Sequence, residues 1–448
     1  MKGVLASVLF LVCAGCASIN TQRPPNVLFL LADDQRADTI SALGNRYIQT
    51  PNIDRLARNG FVFRRAYCMG SQVQAVCVPS RAMLLTGRSL FHATQGPTTG
   101  EIPAGYVMWP EVFRGAGYAT IGIGKWHNDR ASYKRAFSDG GPVFFSGMGD
   151  QTRLTVSNYE GTTNYVAQKY SSALFADAAI AQIRANKSRP FAMYVAFTVP
   201  HDPRAAPPGY KNRYAARSLP LPANFMQKPP FDNGEMMVRD ERLLPRPLKD
   251  HHIRRELAAY YAMLTHMDAQ IGRILRTLRE TGLAENTIVV YAADNGLALG
   301  SHGLLGKQNL YEHSVRVPLI LSGPGIPRGE SSALCYLYDV YPTLCELTDL
   351  TPARTVQGKS LMPIIRGEQL AVRDSILCAY RDLHRMISDG QWKLITYPKI
   401  GRQQLFNIAI DPDELNDLSE NPEYRDRVAD MRNRMLLLQR EAGDPLVR

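Results

Sequence analysis

The chain has 448 residues, 45% hydrophobic and 21% charged, with 34 Gly and 29 Pro, a globular composition that excludes disorder, collagen and coiled coil. Its length allows two or three compact units. Lys plus Arg outnumber Asp plus Glu by 52 to 41, and the net charge of +11 suits an anionic partner: nucleic acid, an acidic membrane surface, or a sulfated or phosphorylated substrate.

In chain order, Lys2 and the apolar stretch Val4 to Val12 come first. That stretch is too short to span a bilayer and matches a signal-peptide core. Cys13-Ala14-Gly15-Cys16 follows and resembles a bacterial lipoprotein box, with Cys13 standing where Leu is usual. The expectation is export, to the periplasm or to the outer membrane through a lipid anchor on Cys16, with residues 1–16 as the leader and 17–25 as a linker. Of the seven cysteines, Cys13 and Cys16 fall in the leader, leaving Cys68, Cys77, Cys335, Cys345 and Cys378. An odd number means that at least one thiol stays free or has another task.

Four apolar runs then end abruptly in polar groups. Val27 to Ala32 ends in Asp33-Asp34, Thr120 to Ile123 in Gly124-Lys125-Trp126-His127, Phe191 to Val199 in Pro200-His201, and Ile288 to Ala293 in Asp294-Asn295-Gly296. Such runs read as strands buried on both faces of a parallel sheet. Helical spacing is clearest over Glu256 to Thr281, with Gly282 placed to end it. The alternation predicts a doubly wound α/β sheet, in which ligands bind beyond the carboxyl ends of the strands.

Asp202 to His252 breaks the rhythm, being rich in Pro and Arg, and is read as a wall or lid over a site next to His201. Arg204, Arg213, Arg217, Arg239 and Arg242 lie within it as candidates for recognising further sulfates or carboxylates, or as solvated surface. After residue 370 the short runs Ser375 to Tyr380, Arg385 to Ser388 and Lys393 to Tyr397, then a helix over Glu423 to Glu441, predict a smaller α+β subdomain. The expected division is 26–369 for the main domain and 370–448 for the subdomain.

Two adjacent carboxylates, Asp33 and Asp34, repel each other unless a cation neutralises them. With Asp294 and Asn295 they offer hard oxygen donors suited to Ca²⁺ or Mg²⁺ and not to Zn²⁺. Pro79 favours the first turn of a helix, placing Cys77 just before its N-terminus, where free N–H groups and the dipole favour an anion; Arg81 adds a planar cation. Lys125 and His127, two apart on extended chain, would face the same side.

The string Cys77-Val78-Pro79-Ser80-Arg81 followed by Thr86-Gly87-Arg88 resembles the signature of the type I, formylglycine-dependent sulfatases of the alkaline-phosphatase-like superfamily, and five separated motifs agree in order from Asn26 to the Asp411-Pro412-Asp413-Glu414 region. The resemblance implies an alkaline-phosphatase-like fold, a sulfuric ester hydrolase acting on a sulfated carbohydrate, and oxidation of Cys77 to formylglycine by a maturation enzyme. It implies Asp33, Asp34, Asp294, Asn295 and the modified residue 77 as ligands of calcium, with magnesium as the alternative. Lys125 and Lys307 would hold the transferring sulfate, His127 would hold the hydrated aldehyde and later take its proton, His201 would protonate the leaving alcohol, and Arg81 would help stabilise the alkoxide. His302 and Glu312, in the motif that contains Lys307, receive no step. The alternatives are a phosphonate or phosphate ester hydrolase of the same fold and an inactive polysaccharide-binding lipoprotein; a nucleic-acid partner rests on net charge alone.

Overall fold

The computed structural model describes residues 23–96 and 100–447, so the leader and Cys16 lie outside the described residues. Asn26–Ala32 is buried at every position, and Phe191–Ala196, Ala119–Lys125 and Thr287–Ala293 likewise. A strand buried on both pleat faces requires cover on both sides, which is why these runs lack apolar–polar alternation. Each fully buried Leu, Ile or Val contributes about 1.5–3 kcal/mol of apolar burial. The four strands are neighbours at the centre of a ten-stranded sheet, in the order Thr287–Ala293, Asn26–Ala32, Phe191–Ala196, Ala119–Lys125, all mutually parallel. Arg316–Ser322 is antiparallel to its two neighbours, so the sheet is mostly parallel.

Helices Pro51–Asn59 and Ser171–Ala185 both pack on Asp250–Glu280, and Cys77–Thr86, Trp109–Gly115 and Val340–Leu347 form a second group, giving the two-sided cover. The long helix begins at Asp250, six residues before its clearest periodicity, because its first turn carries the polar residues Asp250, His251 and His252 that mask the pattern. From Asp202 to Lys249 the chain forms only two short 3-10 turns, as the irregular wall required.

The smaller sheet has five strands, in the order Arg402–Asn407, Trp392–Tyr397, His384–Ser388, Ile376–Tyr380 and Gly70–Ser71, with Arg425–Ala442 packed on it. Two of its strands lie outside the predicted runs. Arg402–Asn407 begins with three polar residues, and Gly70–Ser71 is a two-residue addition from the N-terminal part, so the small sheet draws on both sides of residue 370. Lys393 of this sheet is fully buried and pairs with Glu312 at 3.0 Å and Glu414 at 2.7 Å. These charges tie the two parts together, and Glu312 is thereby engaged in the junction.

Candidate active site

The carboxyl ends of the central strands carry the chemistry. Asp33 and Asp34 follow Ala32, Asp294 and Asn295 follow Ala293, Lys125 ends its strand, and His201 follows the Phe191–Ala196 strand by a short extension, so segments far apart in the chain meet at one edge of the sheet. Lys125 reaches the site because Gly124 precedes it at φ 88°, where a Cβ would stand 2.0 Å from the Ala196 carbonyl oxygen. Cys77 is the first residue of its helix, one position further in than expected, and Pro79 stands in the first turn. The ten candidates Asp33, Asp34, Cys77, Arg81, Lys125, His127, His201, Asp294, Asn295 and Lys307 all come together around one buried cluster and the cavity above it.

Lys125 Nζ lies 3.7 Å and Lys307 Nζ 3.4 Å from Cys77 Sγ. Lys125 also donates to Asp33 Oδ2 at 2.5 Å and to the Gly147 carbonyl at 2.7 Å, while Lys307 donates to Asp34 Oδ1 at 2.6 Å. Arg81 Nε donates to Asp294 Oδ2 at 2.9 Å and its Nη1 to the Lys125 carbonyl at 2.6 Å. Ligand atoms of Asp33, Cys77 and Asp294 lie within 4.8 Å of one another, as do those of Asp34, Cys77 and His201. Asp33 Oδ1 and Asn295 Oδ1 are buried without a hydrogen-bond partner. Orphaned buried oxygens beside three carboxylates fit a hard divalent cation.

Electrostatics agree with that fit. Burial raises Asp33 and Asp34 above the ordinary carboxylate range despite Lys125 beside the first and Lys307 beside the second. For Asp294, burial is outweighed by Arg81, Lys125 and Lys307, and its carboxyl stays low. Burial pushes the Cys77 thiol up to about 11, so at neutral pH it is protonated and a poor nucleophile as it stands. Burial, then Lys125, Arg81 and Lys307, holds His127 well below its usual value, leaving an imidazole free to accept a proton. His201 is lowered by burial, Lys307 and Lys125; its Nδ1 donates to the Asp202 carbonyl at 2.8 Å.

His127 departs from the extended geometry expected of it. It adopts φ 65°, yet it still lines the cavity with Cys77, His201 and Lys307, because the turn after the strand swings it back over Gly147. The cavity has a volume of about 220 Å³. Of the five candidate arginines of the irregular segment, only Arg239 lines it; Arg204 pairs with Glu256, Arg213 donates to Gln49, and Arg217 and Arg242 are exposed. His302 stacks on Tyr311 at 3.9 Å and bonds to the Glu414 carbonyl at 2.9 Å, so it packs beside the junction. Cys68, Cys335, Cys345 and Cys378 are buried free thiols. Sequence reasoning missed Gly147, Asp240, Gln308 and Gln74; Asp240 was signalled by lying in the irregular wall and Gln308 by following Lys307, the other two by nothing.

A mostly parallel α/β sheet with a cationic, acid-lined pocket beyond its strand ends defines a hydrolase of the alkaline-phosphatase-like class. The sulfatase family pattern matches residues 25–350, and the pattern of the N-sulphoglucosamine sulphohydrolase C-terminal region matches 300–441. The chain belongs to the sulfatase family and is a sulfuric ester hydrolase. It is 28% identical to an arylsulfatase of Clostridium perfringens, covering 90% of this chain and 92% of that one. It is 26% identical to an N-acetylglucosamine-6-O-sulfatase of Bacteroides thetaiotaomicron, covering 94% and 87%. A solved structure in complex with its substrate D-glucosamine-2-N,6-O-disulfate superposes with a TM-score of 0.80 at 24% identity, over 95% of this chain and 99% of that one.

Proposed function

We propose that this sulfatase removes sulfate from sulfated carbohydrates after Cys77 has been converted to formylglycine by a maturation enzyme. The observation that carries the reading is the convergence of two lysine ammoniums and three buried carboxylates on a single protonated thiol. Burial outweighs both lysines and keeps that thiol protonated, whereas two cations beside it suit an anionic ester. The carbohydrate part rests on the relative that acts on N-acetylglucosamine 6-O-sulfate and on the neighbour held with glucosamine disulfate.

Asp33, Asp34, Asp294, Asn295 and residue 77 would hold Ca²⁺, or Mg²⁺ in its place, as their oxygen chemistry favours. The cation supplies charge stabilisation for the site, and formylglycine supplies a hydrated aldehyde with two hydroxyls. Lys125 and Lys307 bind the sulfuryl oxygens and orient the ester. Arg81 keeps Asp294 ionised and in place. His127, unprotonated, accepts a proton from the side chain of residue 77. His201 gives a proton to the leaving oxygen from Nε2; burial, then Lys307 and Lys125, otherwise keep it neutral, and the negative charge of the bound ester offsets the two lysines. Residues 1–16 act as an export leader with Cys16 as the lipid-anchor site, and the catalytic and C-terminal parts divide near residue 370.

Mass spectrometry of the tryptic peptide Ala66 to Arg81 from protein matured in a competent host tests the modification. An aldehyde at position 77 with turnover of sulfate esters is expected. An unmodified thiol in a protein that cleaves sulfate esters overturns the formylglycine part, and cleavage of matched phosphate but not sulfate esters overturns the sulfate assignment.

A further inference from the structure

The cavity over Cys77 has a second set of polar groups that the proposed chemistry does not use. Arg239 and Asp240 stand in its wall with Gln308. Arg239 has every donor committed. Its Nε and Nη2 reach Asp240 Oδ1 at 3.1 and 2.6 Å, Nη2 also reaches Asp202 Oδ1 at 2.9 Å, and Nη1 reaches Asp202 Oδ2 at 2.6 Å and the Met148 sulfur at 2.7 Å. A guanidinium has five N–H groups, so none is left to bind an anion on a substrate.

Asp240 is held as firmly. Gln308 Nε2 donates to its Oδ2 at 2.9 Å, and Gln308 is itself fixed by donating to the Gln74 carbonyl at 3.1 Å and accepting from the Lys307 amide at 3.0 Å. The carboxylate is buried, yet it lines the cavity. Of roughly four acceptor positions on a carboxylate, Arg239 and Gln308 take three. Burial would raise its pKa, but Lys307, Gln308 and Arg239 outweigh it and keep it below the ordinary range. One guanidinium shared between two carboxylates leaves this wall net negative, inside a pocket otherwise built for an anion.

We infer that Asp240 is a specificity-determining residue, which accepts a hydrogen bond from a hydroxyl or ammonium of the sugar carrying the scissile sulfate and excludes a second sulfate or carboxylate from that place. The inference rests on the sulfated-carbohydrate reading. A donor there gains a charge-assisted bond, whereas a second anion meets a fixed negative charge, with Arg239 committed to Asp202 and Asp240 and Lys307 to Asp34 and the scissile sulfate. The only arginine of the irregular segment that lines the cavity thus serves to orient Asp240 and Asp202 and does not bind further sulfates.

The test compares kcat/KM of matured protein for a panel of glucose and glucosamine monosulfates against disulfates of the same sugars, with 4-nitrophenyl sulfate as a reference. Monosulfates are expected to be preferred by at least about tenfold, and Asp240→Asn to bring the preference within about threefold, chiefly by raising the disulfates. A glucosamine advantage over glucose that disappears in the variant assigns the ammonium as the donor; equal rates assign a hydroxyl. Disulfates cleaved as fast as monosulfates overturn the inference on the unsubstituted protein alone, whether or not the variant folds, and so does a preference that Asp240→Asn leaves intact. Cleavage of 4-nitrophenyl sulfate without any sugar sulfate overturns it too, while inertness toward every ester including the aryl sulfate defeats the sulfatase reading on which it stands.

Discussion

Arg81 and Asp294 face each other with no solvent exposure on either side chain, Nε to Oδ2 at 2.9 Å. The pair joins the helix that begins at Cys77 to the end of the Thr287–Ala293 strand, so it orients the cysteine against the acidic cluster as well as neutralising part of it.

Breaking a buried pair strands a charge. Arg81→Gln is expected to cost about 3–5 kcal/mol, whereas Arg64→Gln, which removes the exposed pair with Glu330, costs less than about 1 kcal/mol. Denaturant unfolding of the two variants measures both, and similar losses would mean that Arg81 is not held as described.

Removing the cation empties a cluster of carboxylates that burial disfavours in their charged form. Chelation is expected to abolish turnover, and Ca²⁺ or Mg²⁺, but not Zn²⁺, to restore it. Added Ca²⁺ should raise the melting temperature, and Asp33→Asn should blunt that rise. A melting temperature indifferent to Ca²⁺ counts against the assigned ligands.

Loss of His201 should show in the leaving group. With His201→Ala, kcat/KM is expected to fall about 10²–10⁴-fold for sulfates of poor leaving alcohols and far less for activated aryl sulfates. A series of aryl sulfates graded by phenol acidity gives the dependence, and equal losses along it remove the acid role.

Gly147 supports two groups at once, its carbonyl receiving Lys125 at 2.7 Å and its α-carbon leaving room for His127. A Cβ there would lie 2.9 Å from His127 Nε2, so Gly147→Ala is expected to displace the imidazole and cut kcat about 10²-fold with the melting temperature little changed. Unaltered kcat would place His127 outside the rate-limiting proton transfers.

His384, His302 and His266 are each lowered by burial from 6.5 to about 4. The unfolded imidazoles take up protons below about 6.5 while the folded ones do not, so this contribution to stability is full above that pH and is lost as pH falls toward 4. His384→Gln removes one such group and should flatten the slope of unfolding free energy in that window by up to ~1.4 kcal/mol per pH unit. Unfolding curves collected across the window for both proteins check it; parallel slopes would show that His384 is protonated in the folded chain.

Much of the site is legible in the amino-acid sequence. The runs ending at Asp33, Lys125 and Asp294 read as buried strands because a sheet covered on both faces tolerates no alternation, and all three lie within four consecutive strands of the central sheet. Less is legible in the irregular wall, where Arg239 and Arg242 look alike in sequence and only the first lines the cavity. The conformation of His127 is hidden too, because a left-handed residue leaves no mark in a Lys-x-His spacing.

Local chemistry in the sequence therefore determined the strand cores, the motif around Cys77 and the oxygen-rich character of the Asp33, Asp34, Asp294 and Asn295 cluster, since burial patterns and residue types act over a few positions. Tertiary structure alone decided which lysine answers which aspartate, Lys125 with Asp33 and Lys307 with Asp34, that Gly70–Ser71 completes the distant small sheet, and that Arg239 is spent on Asp202 and Asp240. Those outcomes depend on ångström-scale distances between segments far apart in the chain, and desolvation and Coulomb terms take their sign and size only once the fold has set those distances.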